Sequence, residues 1–441
     1  MSILAVNFEK QLGKVKIMHS VNNGPAGSKV RATSGNYAAF REAQIPYARN
    51  HDASFYSGYG AEHTVDVHHI FRNFDADVND PASYDFERTD IYLKDMESVG
   101  TKCFYRLGSR IEHGKKEGTF PPKDNQKWAE ICEHIIRHYN EGWADGFHMG
   151  IEYWEIWNEP DLRNDNPSAS PTWQGTPEQY YELYNITANH LKSCFPHIKI
   201  GGPALAYDLN WAENFLKALD APLDFFSWHC YTTTPALEAD KARQIRALLD
   251  SYGHTDCESI NNEWNYVKGW SGETALYSHK VQKNLKGSSF IAGTMCANQY
   301  APVEMLMYYD ARPGGMTGLW ETDNPHNLLK GYWPFKMFNT LYKLGNALDI
   351  SSDCGEIYAC AAKNDTETAV LLTHFADTDT GEAKDIAVSL NGCGNVRVKI
   401  ETLDEERDME LTREECFTGE NPVLHLTLPL FTTLLITITH N

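Results

Sequence analysis

Ile151-Glu152-Tyr153-Trp154-Glu155-Ile156-Trp157-Asn158-Glu159-Pro160-Asp161 begins as a strand and ends as a polar tip. The residues up to Trp157 are mostly β-branched or aromatic, which suits a buried strand. Pro160 lacks an N–H and cannot continue a central strand, so the chain turns there. Asn158 and Glu159 therefore stand where the strand stops. A carboxylate beside an amide at the C-terminal tip of a barrel strand reads as catalytic. Alone, Trp-Asn-Glu-Pro leaves that reading level with a glutamate that merely caps the next turn.

Working outward, further strand-like segments stand at 14–21, 46–50, 102–106, 198–202, 224–228, 258–262 and 303–309. Helical stretches separate them. The clearest is 127–139, where Trp128, Ile131, Cys132, Ile135, Ile136 and Tyr139 recur at three- and four-residue steps and make one apolar face. Thr176 reads as the N-cap of another helix, with Pro177 at its first position. Others are expected at 33–41, 86–99, 237–250, 281–297 and 331–344. Strand and helix alternate about eight times, which predicts a (β/α)8 TIM barrel over residues 14–345. A doubly wound sheet would carry a glycine-rich phosphate turn, and none is present. From 346 to 441 short strands alternate with turns and charges, predicting an antiparallel β-sandwich. Residues 1–13 are expected to add an edge strand to it.

The chain has 441 residues, more than one ordinary core holds. Its net charge of -21 argues against nucleic acid or an anionic membrane as partner. No stretch reaches transmembrane length, and the first ten residues lack the basic start and long apolar run of a signal peptide. The 10 cysteines are scattered with no Cys-x-x-Cys, so reduced thiols in a cytoplasmic protein are expected, without metal or cofactor. His63, His68 and His69 read as surface or structural histidines rather than ligands, because no carboxylate stands at ligand spacing. The sequence leaves the oligomeric state open, a homo-oligomer included. The 11 Trp and 23 Tyr suit sugar stacking and core packing equally.

Two expected strand tips end in glutamate: Trp157-Asn158-Glu159-Pro160 and Asn261-Asn262-Glu263-Trp264-Asn265. By count they close strands four and seven, which face each other across a small barrel. Carboxyl groups about 5 Å apart suit a retaining glycosidase, and wider spacing suits an inverting one. One carboxylate must be ionised and the other protonated near neutral pH, and mutual repulsion helps to split them. Glu152 and Glu155 lie inside the strand, before its tip.

These stretches resemble glycoside hydrolase family 39, which contains β-xylosidases and α-L-iduronidases, within the superfamily carrying its glutamates on strands four and seven. The resemblance rests on 155–161, on Lys199-Ile200-Gly201-Gly202-Pro203-Ala204, on 224–231 and on Asn262-Glu263-Trp264-Asn265. It implies a retaining exo-acting mechanism with Glu159 as acid/base and Glu263 as nucleophile. It further implies that Asn158 bonds the substrate 2-hydroxyl and that Tyr231 bonds Glu263. His229 and His51 would line the −1 sugar site, and Trp320 would stack on the sugar. The nucleophile strand departs from the family's commoner Thr-Glu-Tyr pattern, and the loop following His51 has no counterpart. A β-xylosidase on short xylo-oligosaccharides is the leading expectation. An α-L-arabinofuranosidase, a galactosidase or an iduronidase-like enzyme are the alternatives. A uronate substrate would want a cation, for which Arg49 and Arg106 are the strand-tip candidates. A non-catalytic carbohydrate-binding barrel is the reading of a different class.

Overall fold

The computed structural model describes residues 1–26, 35–52, 64–163 and 169–440. His63 and the start of the helix expected at 33–41 lie outside them. After β1 (Ser2–Lys14) come β2 (Ile17–Asn22), β3 (Tyr47–Arg49), β4 (Lys102–Leu107), β5 (Tyr153–Ile156), β6 (Lys199–Leu205), β7 (Phe225–Thr232), β8 (Glu258–Tyr266) and β9 (Met305–Tyr308). Strands β2 to β9 pair in parallel, each with the next, and β9 returns to β2, which closes the barrel. Tyr47, Phe104, Tyr153, Phe225, Ile260 and Met305 form an apolar plug at the N-terminal end of its interior. The outward faces pack against the surrounding helices.

Local signals explain most of those helices. Asp124 caps Asn125–Asn140 by accepting from the Gln126 and Lys127 N–H groups. Thr176 and Gln179 form a reciprocal capping box at the head of Pro177–Cys194. Two differences from expectation have local causes. The helix Leu209–Ala218, capped by Asp208, occupies a stretch read as connection. The single helix expected at 281–297 is two, Gly272–Gln282 and Leu285–Gln299, because Asn284 breaks the run and accepts from Gly287 N–H as an N-cap. No helix of the described residues is long and apolar enough to cross a membrane.

The remaining strands are β10 (Asn346–Ser352), β11 (Ile357–Lys363), β12 (Glu367–His374), β13 (Lys384–Asn391), β14 (Val396–Leu403), β15 (Asp408–Phe417), β16 (Val423–Leu428) and β17 (Thr433–His440). With β1 they make one nine-stranded sheet, in the order β15-β14-β17-β12-β11-β10-β1-β13-β16. The sheet curls so that Leu4, Val6, Val370, Val388, Val398 and Ile436 share one apolar core. Its other face is also apolar: Cys360, Ala362, Ala369, Leu371 and Leu435 join the barrel's core, against Leu285–Gln299 and Trp333–Leu344.

The expected edge position of the N-terminal residues is corrected. Strand β1 is internal, antiparallel to β10 on one side and parallel to β13 on the other, with Ser2 opposite Ile386 and Asn7 opposite Asn391. Its alternating Leu4, Val6 and Phe8 point into the sheet's core and fix that register.

Candidate active site

The tip of β5 is built from unusual backbone. Trp157 and Glu159 sit at φ 77° and 48°, a left-handed conformation that side-chain-bearing residues adopt where their surroundings hold them. Glu159 N–H donates to the Ala204 carbonyl at 3.0 Å, and the Thr172 hydroxyl donates to the Glu159 carbonyl at 2.6 Å. Two residues on, the Asp161 carboxylate accepts from the N–H groups of Ala206, Tyr207 and Asp208 at 2.8, 2.9 and 3.0 Å. The loop after β6 thus clamps the loop carrying Glu159.

Glu263 reaches the mouth by a bulge. Asn261 pairs with Trp228 and Glu263 with His229, leaving Asn262 as an extra residue on β8. Asn261 points outward to Glu238 and Trp264 packs in the outer core, whereas Asn262 and Glu263 both turn into the barrel. Both β7 and β8 run past their expected ends, to Thr232 and Tyr266. His229, Tyr231 and Glu263 therefore stand on paired strands, not on loops.

The site's electrostatics centre on Arg49, wholly buried at the end of β3. Its Nη1 donates to Glu263 Oε1 at 2.7 Å, its Nε to Glu155 Oε2 at 2.7 Å, and its Nη2 to Asn158 Oδ1 at 2.8 Å. Tyr231 donates its hydroxyl to Glu263 Oε2 at 2.6 Å. His229 stands between the two glutamates, with Nδ1 2.8 Å from Glu159 Oε1 and Nε2 3.6 Å from Glu263 Oε1. A carboxylate oxygen of each glutamate and a ring nitrogen of His229 lie within 4.8 Å of one another. His51 Nε2 is 3.8 Å from Glu263 Oε1 and 3.7 Å from Asp52 Oδ1.

Burial, and then the nearby Asp161 charge, push the Glu159 carboxyl up to about 8. Burial also raises Glu263, but His229, Arg49 and the Tyr231 hydroxyl oppose it and leave it at about 7. Burial lowers both His229 and His51, so both imidazoles are neutral near pH 7. Among the described residues, the buried Asn158 Nδ2, His229 Nε2 and His51 Nδ1 lack a hydrogen-bond partner. A polyhydroxylated ligand supplies such partners.

Six of the seven residues singled out in the sequence thus gather around one site: Glu159, Glu263, Asn158, His229, Tyr231 and His51. Trp320 is corrected. It is 0% exposed, its ring 5.5 Å from that of Phe40, and its bridge to Leu328 folds the loop back over it. It offers no open face to a sugar. Of the two arginines flagged for a uronate, Arg49 is held by Glu155 and Glu263, whereas Arg106 donates from Nη2 to Asp66 and the His51 carbonyl and leaves Nε and Nη1 buried without a hydrogen-bond partner among the described residues. The sequence reading missed Arg49 as the partner of Glu263, Tyr309 with its hydroxyl on Asp52, and Arg312 beside Asp310. For Tyr309 its position directly after β9 was the available signal. The histidine reading changes in one respect. The Asp66 carboxylate, two residues before His68, lies within 4.8 Å of ring nitrogens of both His68 and His69, so a carboxylate does stand at ligand spacing, and those of Glu112 and Glu117 also approach His68. Glu112 is occupied in capping its own loop through the Glu117 and Gly118 N–H groups, and Glu117 pairs with Lys115.

A closed (β/α)8 barrel whose C-terminal tips bring two glutamates together defines the class. The chain belongs to glycosyl hydrolases family 39, whose family model matches residues 15–260, more than half of the chain. It is 34% identical over 182 residues to a β-xylosidase of Geobacillus stearothermophilus, covering 37% of this chain and 34% of that protein. It is 26% identical over 242 residues to a β-xylosidase of Caldicellulosiruptor saccharolyticus, covering 52% and 46%. These matches span less than half the length of either relative. The crystal structure of a glucosidase from Croceicoccus marinus superposes with TM-score 0.79 at 22% identity, covering 100% of this chain and 99% of that one.

Proposed function

We propose that the chain is a retaining, exo-acting glycoside hydrolase. The observation that carries this is the pairing of Glu159 and Glu263, with carboxylate oxygens within 4.8 Å and with Arg49 and Tyr231 donating to Glu263 but not to Glu159. That spacing fits attack by a carboxylate and leaves no room for the water an inverting enzyme places there. Glu263, the more acidic and twice hydrogen-bonded, attacks the anomeric carbon while Glu159 gives its proton to the departing oxygen. The resulting glycosyl ester on Glu263 is then displaced by water, whose proton Glu159 takes. Neutral His229 accepts the Glu159 proton's hydrogen bond at Nδ1 and turns its Nε2–H towards Glu263, which fixes the proton on Glu159 between turnovers. Asn158, its oxygen held by Arg49, offers its free Nδ2–H to the sugar 2-hydroxyl.

β-Xylose on short oligosaccharides is the proposed substrate. Both curated relatives bear the name β-xylosidase. The near-complete burial of Asn158, His51 and His229 suits a terminal sugar. A panel of p-nitrophenyl glycosides tests the reading, with NMR of the first-formed anomer. Release of β-xylose from the β-xyloside supports it; an α-anomer as first product rejects the retaining mechanism.

A further inference from the structure

Away from the barrel mouth, Glu133, His190 and Cys194 come together, each with one donor atom within 4.8 Å of the others. His190 and Cys194 stand four residues apart in the helix Pro177–Cys194, so their side chains share a face. That helix packs against Asn125–Asn140, from which Glu133 reaches across. His190 Nε2 lies 2.6 Å from Glu133 Oε2 and 4.0 Å from Cys194 Sγ. Donor atoms on a tetrahedral zinc ion stand about 3.3–3.6 Å apart, a spacing that these two distances bracket. Among the described residues, four clusters of three histidine, cysteine or carboxylate side chains have donor atoms close enough for one ion, and this cluster alone contains a cysteine. Its members come from two helices, so no local motif records it.

The groups around the three suit ligation. Arg137 Nε donates to Glu133 Oε1 at 2.7 Å, which turns Oε2 towards His190. The Gln126 side-chain amide stands 3.3 Å from the other ring nitrogen, His190 Nδ1. Glu133 and His190 are partly exposed, so water reaches a fourth position. We propose that Glu133, His190 and Cys194 bind a zinc ion, which staples together the helices that precede and follow β5, the strand leading to Glu159. A thiolate and an imidazole select zinc over the hard ions calcium and magnesium. Burial, and then the Glu133 charge, hold the Cys194 thiol proton in place, and the ion expels it. The imidazole proton moves from Nε2 to Nδ1, where Gln126 accepts it through its amide oxygen once the amide turns over. One proton leaves for each ion bound, and thiolate and carboxylate together balance the charge of the ion.

The test titrates the full chain, reduced and freed of metal by chelation, with Co2+, whose bond to a thiolate gives a charge-transfer band in the near ultraviolet. The band should saturate at one equivalent and disappear when Zn2+ displaces the cobalt. Cys194→Ser, which keeps the shape of the side chain, should abolish it. Absence of the band in the wild type overturns the proposal, and so does a band that survives Cys194→Ser. Displacement of the band by Zn2+ gives the zinc affinity. His190→Ala should weaken it at least tenfold and Glu133→Gln by a smaller factor; an unchanged affinity in His190→Ala overturns the site. One equivalent of Zn2+ should also raise the Tm of the wild type and leave that of Cys194→Ser where it was. An equal rise in both would place the stabilising ion elsewhere and overturn the staple.

Discussion

At the scale of the residue, the division of labour proposed for Glu159 and Glu263 comes from what surrounds each. In the proposed mechanism Glu263 is ionised to attack, so activity falls as pH drops through its value near 7, and Glu159 is protonated, so activity falls as pH rises through about 8. A bell-shaped kcat/KM profile with its maximum between those limbs is expected. The Asp161 charge raises Glu159. Removing it lets Glu159 lose its proton earlier, so Asp161→Asn should move the basic limb to lower pH and leave the acidic limb in place; a pH–rate profile reads this directly. Glu159→Ala should erase the basic limb for an activated aryl glycoside and make azide a productive nucleophile. Azide then attacks from the Glu159 side and gives a glycosyl azide of retained configuration, whereas Glu263→Ala should lose several powers of ten in rate and give the inverted azide. Product NMR assigns the roles, and the opposite pairing would exchange them. The glutamates were legible because each stands beside a residue that stops or bends its strand. Arg49 was not, since its four acceptors come from β2, β5, the loop after β5 and β8, and no local spacing records a meeting of strands 106 and 214 residues apart.

At the scale of the element, β6 and β7 carry a strict requirement. A Cβ on Gly201 would stand 2.1 Å from the Phe225 carbonyl oxygen, on the strand that bears His229 and Tyr231. Gly201→Ala must push β7 outward. It should destabilise the fold by about 1–3 kcal/mol, as overpacking does, and lower kcat through misplaced His229 and Tyr231. Denaturant unfolding together with steady-state kinetics checks both, and loss of stability with full kcat would show that the strand tips relax independently. The bulge at Asn262 shows where reading by period ends. Strict alternation would face either Asn262 or Glu263 outward, whereas the bulge turns both into the barrel. Helices with a capping residue and one apolar stripe were legible; the break at Asn284 was hidden because Leu285–Gln299 is buried on nearly all sides and has no stripe to interrupt.

At the scale of the whole molecule, the barrel was legible because each strand–helix unit announces itself within a short window. The sheet's strands were legible too, but their order was not, because partner choice there is remote in sequence. Deleting residues 1–13 removes the inward Leu4, Val6 and Phe8, each worth about 1.5–3 kcal/mol when buried. It also strips both β10 and β13 of a neighbour. Calorimetry should then show the sheet melting ahead of the barrel, as a separate transition; one transition at the wild-type temperature would show that β1 adds no stability. The inward placement of β1 also bears on how the chain is made. Ribosomes extend a chain at about 5–20 residues per second. Roughly 330 residues separate Lys14 from Asn346, so the first strand waits on the order of 15–70 s for the one it lies against. Throughout that interval an apolar ribbon trails from a barrel that is already folding, which makes the nascent chain, rather than the finished protein, the form most in need of a chaperone.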